Sequence, residues 1–176
     1  MLTPEQEAWI NTLSDIIISI VPYDPRAEEF FNIIKKKIHN LLGEDVLVEH
    51  GGSTILGIVG QDEVDISIVA PKEKFAEYIP KLETLFGPVC SFYPGRAKFE
   101  VKEDDKKIDL KITDENHPLY VEGKIFTEYL STHSRDLEHY KILKEECNGL
   151  PIKEYQRRKI EFTNEILEKA KLKLIT

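Results

Sequence analysis

Apolar residues recur along this chain with two periods, and each change of period marks an expected element boundary. Trp9, Leu13, Ile16, Ile17 and Ile20 follow helical spacing. Thr3-Pro4-Glu5-Gln6 opens that helix with an N-cap hydroxyl, a proline at the first helical position and a glutamine able to close a capping box. Val21-Pro22 forbids its continuation. A second helix starts at Asp24-Pro25, buries Phe30, Phe31, Ile34, Ile38, Leu41 and Leu42, and ends at Gly43. Pro71 begins a third, with Phe75, Tyr78, Ile79, Leu82 and Leu85 inward, and Gly87-Pro88 stops it.

Between the second and third helices the period falls to two. Residues 46–48 read as a strand that enters a Gly-Gly-Ser-Thr turn, and a second strand follows to Val69. On it Val64, Ile66 and Ile68 point one way, and Asp65 and Ser67 the other. Three short strands are expected at 89–93, 97–102 and 107–113, the last two joined by the polar turn Glu103-Asp104-Asp105-Lys106. Ile108, Leu110 and Ile112 share one side of the final strand, leaving Asp109 and Lys111 on the other; Lys98 and Glu100 lie on the polar side of its neighbour.

From Tyr120 onward the pattern is helical. One helix runs to about Leu130, and a second, capped near Ser134, buries Leu137, Tyr140, Leu143 and Cys147. Gly149-Leu150-Pro151 precedes a long one through Tyr155, Phe162, Ile166 and Ala170. The expected architecture is α+β: a helix-flanked sheet with a C-terminal helical bundle packed on it. Residues 1–20 form an extra helix, 21–118 the α/β core and 119–176 the helical unit, together one compact domain.

A net charge of −8 argues against a nucleic-acid duplex as partner, since duplex binding needs a basic surface. No apolar run is long enough to span a bilayer, and MLTPEQEAW has neither a basic start nor a signal core, so a cytoplasmic protein with no membrane partner is expected. Cys90 and Cys147 match neither a disulfide framework nor a metal-ligand spacing and read as packed thiols.

The candidate chemistry lies on the polar side of the strands. Asp65 and Asp109 can converge on a magnesium or manganese ion if their strands are neighbours, and the turn Gly51-Gly52-Ser53 can cradle phosphates. Ser67 sits where a second carboxylate on the Asp65 strand would add an anionic ligand, and its neutral hydroxyl is a weaker donor. His50, just before the glycines, serves equally as a phosphate or base contact or as a strand-end packing residue. Asp62, Glu63, Asp104 and Asp105 read as turn and surface charges.

At these residues the sequence resembles the GrpB-like family of the nucleotidyltransferase superfamily. The similarity runs through Val21-Pro22-Tyr23-Asp24-Pro25 with Phe30 and Phe31, through Glu49-His50-Gly51-Gly52-Ser53-Thr54 with Gly57, and through Val64-Asp65-Ile66. It continues through Tyr129-Leu130 with His133, Tyr140 with Leu143-Lys144, and Tyr155 with Lys159 and Phe162. The resemblance implies a nucleotidyltransferase-like mixed sheet. It implies Gly52 and Ser53 as the phosphate turn, Asp65 as the first metal carboxylate and Asp109 as the third, both catalytic. Lys144, Lys159 and Arg96 are candidate cations for a triphosphate, or solvated surface charges. Ser67, Gln61-Asp62 and Ile108-Asp109-Leu110-Lys111 depart from the pattern, and Ser67 bears on catalysis.

The expected function is binding of a magnesium nucleotide between sheet and helices, with transfer of a nucleoside monophosphate from a nucleoside triphosphate to a small acceptor. The alternative is a catalytically inactive nucleotide- or anion-binding module of the same fold. The Trp9 helix is a candidate contact for a homo-oligomer.

Overall fold

In a computed structural model, which describes residues 1–173, the chain has a mixed α+β architecture. Its five strands are β1 (Leu47–Gly51), β2 (Glu63–Val69), β3 (Val89–Tyr93), β4 (Arg96–Glu103) and β5 (Lys106–Thr113), in the spatial order β1-β2-β5-β4-β3. Only β2 and β5 run parallel; the other neighbours are antiparallel. The period-2 reading therefore located every strand of this sheet. No helix among the described residues is long and apolar enough to cross a membrane.

The chain divides into two compact units. The sheet unit comprises Tyr23–Gly57 and Asp62–Val121. In it α2 (Ala27–Leu42) and α4 (Phe75–Phe86) pack Phe30, Ile34, Ile38, Phe75 and Leu82 into one core with Val64, Ile66, Ile68, Phe99, Ile108, Leu110 and Ile112. The apolar parity of each strand is thus spent on one face. That leaves Asp65, Ser67, Asp109 and Lys111 on the other. Leu85, expected inward, is 43% exposed.

The second unit comprises Met1–Pro22, Ile58–Gln61 and the chain from Glu122 on. This differs from the expected lone first helix, because the N-terminal residues group with the C-terminal helices. The expected capping box forms, but α1 (Pro4–Thr12) ends eight residues before Ile20. Ile16, Ile17, Ile18 and Ile20 are β-branched and favour extended backbone. Ile18 donates its N–H to Leu150 (3.0 Å) and accepts from Gly149 (3.1 Å), and its side chain is buried with Cys147, Ile152 and Tyr155. Strand-like pairing thus overrides the helical spacing. Trp9 is 44% exposed, and Ile10 is the buried residue of α1. The helices α5 (Pro118–Thr132), α6 (Ser134–Glu146) and α7 (Ile152–Lys173) follow the expected sequence of elements. Cys147 is buried as expected, whereas Cys90 is exposed on β3.

The start of β5 carries an ionic cluster within the sheet unit. Lys106, buried, pairs with Asp24 at 2.9 Å and with Asp62, while the Arg26 guanidinium forks onto Asp24 (2.9 and 3.2 Å) and reaches Asp105 at 3.3 Å. Hydrogen bonds from Arg26 and Lys106 hold the Asp24 carboxyl well below the usual carboxylate range. Burial works against the Lys106 charge, but its bonds to Asp62 and Asp24 outweigh it and raise its pKa. The turn charges Asp62 and Asp105 are therefore structural, joining the start of α2 to two strand ends. Lys106→Met is expected to cost about 2 kcal/mol at pH 7, short of the ~3–5 for a fully enclosed pair because Asp62 stays half in solvent. Since the folded pKa of Asp24 is depressed, its contribution is complete above the ordinary value of 3.8 and is lost as pH falls below it. The deficit, read from urea midpoints, should hold from pH 7 down to about pH 4 and shrink between about pH 4 and about pH 2.

Candidate functional site

The parallel register of β2 and β5 sets the polar face in rows. Asp65 lies directly beside Asp109, Ser67 beside Lys111, and Glu63 beside Lys107. From the antiparallel neighbour β4, Glu100 joins the Asp109 row and Lys98 the Lys111 row. Carboxylate oxygens of Glu63, Asp65 and Asp109 all lie within 4.8 Å of one another. The structure thus brings the two expected carboxylates together and adds a third. Glu63 reads as a surface charge in the sequence, yet it stands two residues before Asp65, on the same face of the same strand.

Three lysines neutralise this group. Lys111 donates a hydrogen bond to Asp65 Oδ1 (2.9 Å) and stands 3.1 Å from Asp109 Oδ2. Lys98 reaches Asp109 Oδ1 at 3.2 Å, and Lys107 reaches Glu63 at 3.0 Å. Burial opposes the Lys111 charge, but Asp65 and Asp109 outweigh it, raising its pKa above the ordinary lysine value. Asp109 itself is buried, and its Oδ1 takes part in no hydrogen bond, with Lys98 3.2 Å away as an ion pair.

The glycine turn closes against Asp65. Gly51 pairs with Asp65 across β1 and β2, and the chain then enters a single helical turn, α3 (Gly52–Ile55), where an open turn was expected. Gly52 has φ +68°, and a Cβ added there would fall onto the Asp65 carboxylate, 2.7 Å from its Cγ. Both the backbone conformation and the close approach require glycine at this position. Ser53 follows in α3, half-buried.

The remaining expected residues are distributed. His50 pairs in register with Ile66, a core-face residue. Its ring stacks on Phe31 of α2 with centroids 5.0 Å apart, and Nε2 lies 2.9 Å from Thr54 Oγ1. These are packing contacts, and burial lowers the His50 pKa. Ser67 is on the polar face, one row along from Asp65; Arg96, expected in a loop, is the first residue of β4 and a further row along, beside Thr113. Lys144 and Lys159 belong to the helical unit. Lys144 is buried there, its ammonium 5.2 Å from the Tyr140 ring centre and 3.4 Å from the Tyr155 hydroxyl it donates to, and Lys159 stands 5.8 Å from the Tyr155 ring centre.

Magnesium takes oxygen ligands, and Glu63, Asp65 and Asp109 supply three carboxylates, one with an unfilled buried oxygen. The donor chemistry fits the ion. The carboxylate charge that such an ion would neutralise is meanwhile balanced by lysines.

Among solved structures the chain is similar to the conserved protein GrpB from Enterococcus faecalis, at 22% identity and TM-score 0.72, over 89% of this chain and 99% of that one. It is also similar to Cid1, an RNA terminal uridylyl transferase, at 13% identity and TM-score 0.48, over 80% of this chain and 43% of that one. Polymerase beta from Leishmania infantum matches at 14% identity and TM-score 0.35, over 62% of this chain and 53% of that one. No curated protein matches the chain. The family model described as GrpB protein matches residues 17–169, in agreement with the resemblance carried by the Gly-Ser-Thr and Asp-Ile segments, and the chain belongs to the GrpB family.

Proposed function

We propose that this protein binds a nucleoside triphosphate together with magnesium on the polar face of its sheet, as a protein of nucleotidyltransferase type. The observation that carries this reading is the register that sets Asp65 beside Asp109, with the Gly51-Gly52-Ser53 turn pressed against the same carboxylate. In this reading Asp65 and Asp109, now with Glu63, hold the ion, and the Gly51-Gly52 backbone and the Ser53 hydroxyl hold the phosphates. Bound magnesium would offset charge on the phosphate oxygens and polarise the phosphorus under attack. In the enzymatic form of this function, the acceptor hydroxyl or amine bonds to the α-phosphorus as the bond to pyrophosphate breaks, and the acceptor's proton passes to solvent. The protein's own part is to hold acceptor and phosphates in line, and orientation of that kind lowers a barrier without any covalent step on the chain.

A second reading, nucleotide or anion binding without transfer, is favoured by Ser67 and by the lysines already paired with the carboxylates. Isothermal titration separates binding from its absence: wild type should bind a triphosphate only with magnesium present, and Asp65→Asn should lose that binding while its circular dichroism is retained. Unchanged titration in the variant defeats the proposal. Pyrophosphate release from labelled triphosphates and mixed small acceptors, lost in Asp109→Ala, assigns transfer; binding without release assigns the second reading.

A further inference from the structure

The ammonium of Lys111 stands where the two aspartates converge, 2.9 Å from one and 3.1 Å from the other. A divalent ion held by the same two carboxylates meets a positive charge there. With Lys98 on Asp109 and Lys107 on Glu63, each of the three carboxylates already has an ammonium partner before any ion arrives, and Glu100, beside Asp109, is a further acid on the same face. Lys107 is half in solvent and leaves easily. Lys111 is less exposed, on the row between Ser67 and Lys98, which places a hydroxyl and a second ammonium at its sides, with Glu49 beyond Ser67.

We propose that Lys111 is a built-in counter-ion of this site, so that a divalent cation reaches Glu63, Asp65 and Asp109 only by displacing its ammonium. The proposal rests on the reading of these carboxylates as a cation site, and it adds how access to that site is regulated. A triphosphate arriving with its metal makes the exchange favourable on both sides, since it gives the carboxylates a cation and gives Lys111 an anion in return. The free protein is thereby kept closed to metal, and the metal enters as part of the nucleotide complex.

Manganese binding to the free protein, followed by loss of the free-ion electron paramagnetic resonance signal, tests this without any activity. Wild type and Lys111→Arg should bind weakly, while Lys111→Met and Lys111→Gln, which remove the charge, should each bind at least about tenfold more tightly. The double variant Asp109→Asn/Lys111→Met should lose the gain. Circular dichroism establishes that each variant is folded, and manganese should raise the thermal midpoint of Lys111→Met more than that of wild type. If both neutral variants bind manganese no more tightly than wild type, or more weakly, Lys111 does not compete for the site and the proposal is overturned. Failure of wild type to bind any nucleotide, with the manganese gain present, overturns the proposed function and leaves this inference standing.

Discussion

Gly52→Ala should lower stability by about 3 kcal/mol, while Gly57→Ala, at nearly the same backbone angle, should cost only about 1 kcal/mol. The two glycines have φ values of +68° and +66°, so the left-handed backbone cost is common to both. Their surroundings differ. A Cβ on Gly57 meets nothing within 4 Å, whereas one on Gly52 falls onto the Asp65 carboxylate. Either α3 or the Asp65 side chain must move, and moving Asp65 breaks its hydrogen bond with Lys111. The difference between the two variants, measured by urea denaturation with unchanged slope, isolates the contact from the backbone strain. Equal losses would mean that the turn does not press on Asp65, and the phosphate-turn geometry would be lost with it.

Leu110→Ala should cost about 3–4 kcal/mol, read from the urea midpoint, because a fully buried leucine leaves a cavity that the sheet cannot close. Leu110 sits on β5, the central strand, with Ile66 beside it on β2 and Phe99 beside it on β4. Both neighbours are held by backbone pairing and are themselves fully buried, so relaxation into the space is limited. Leu119→Ala, at a residue 58% exposed, should change the midpoint hardly at all. A loss below about 1 kcal/mol at Leu110 would contradict the close packing of α2 and α4 on this face.

The alternation of Val64, Ile66 and Ile68 and of Ile108, Leu110 and Ile112 was enough to locate the strands and their polar faces, because one buried face fixes parity. It does not fix pairing. That Asp65 meets Asp109, and that Lys111 bridges them, depends on the parallel register of strands forty-odd residues apart, and no local pattern encodes that register. Glu63 is legible by parity, two residues before Asp65 on the same strand face. Ile16, Ile17 and Ile20 show the reverse error: their spacing suits a helix, but tertiary pairing of Ile16 and Ile18 with residues 149–152 decides the backbone. Lys106 reads as a turn residue in the sequence, and only its contacts with Asp24 and Asp62 reveal a buried cation.

The parallel pairing of β2 and β5 also has a kinetic consequence. The chain between them carries α4, β3 and β4, and closing so long a loop is slow compared with forming a hairpin such as β4–β5. Asp65 and Asp109 therefore meet only when β2 and β5 have paired, so a partly folded chain lacks the paired carboxylates altogether.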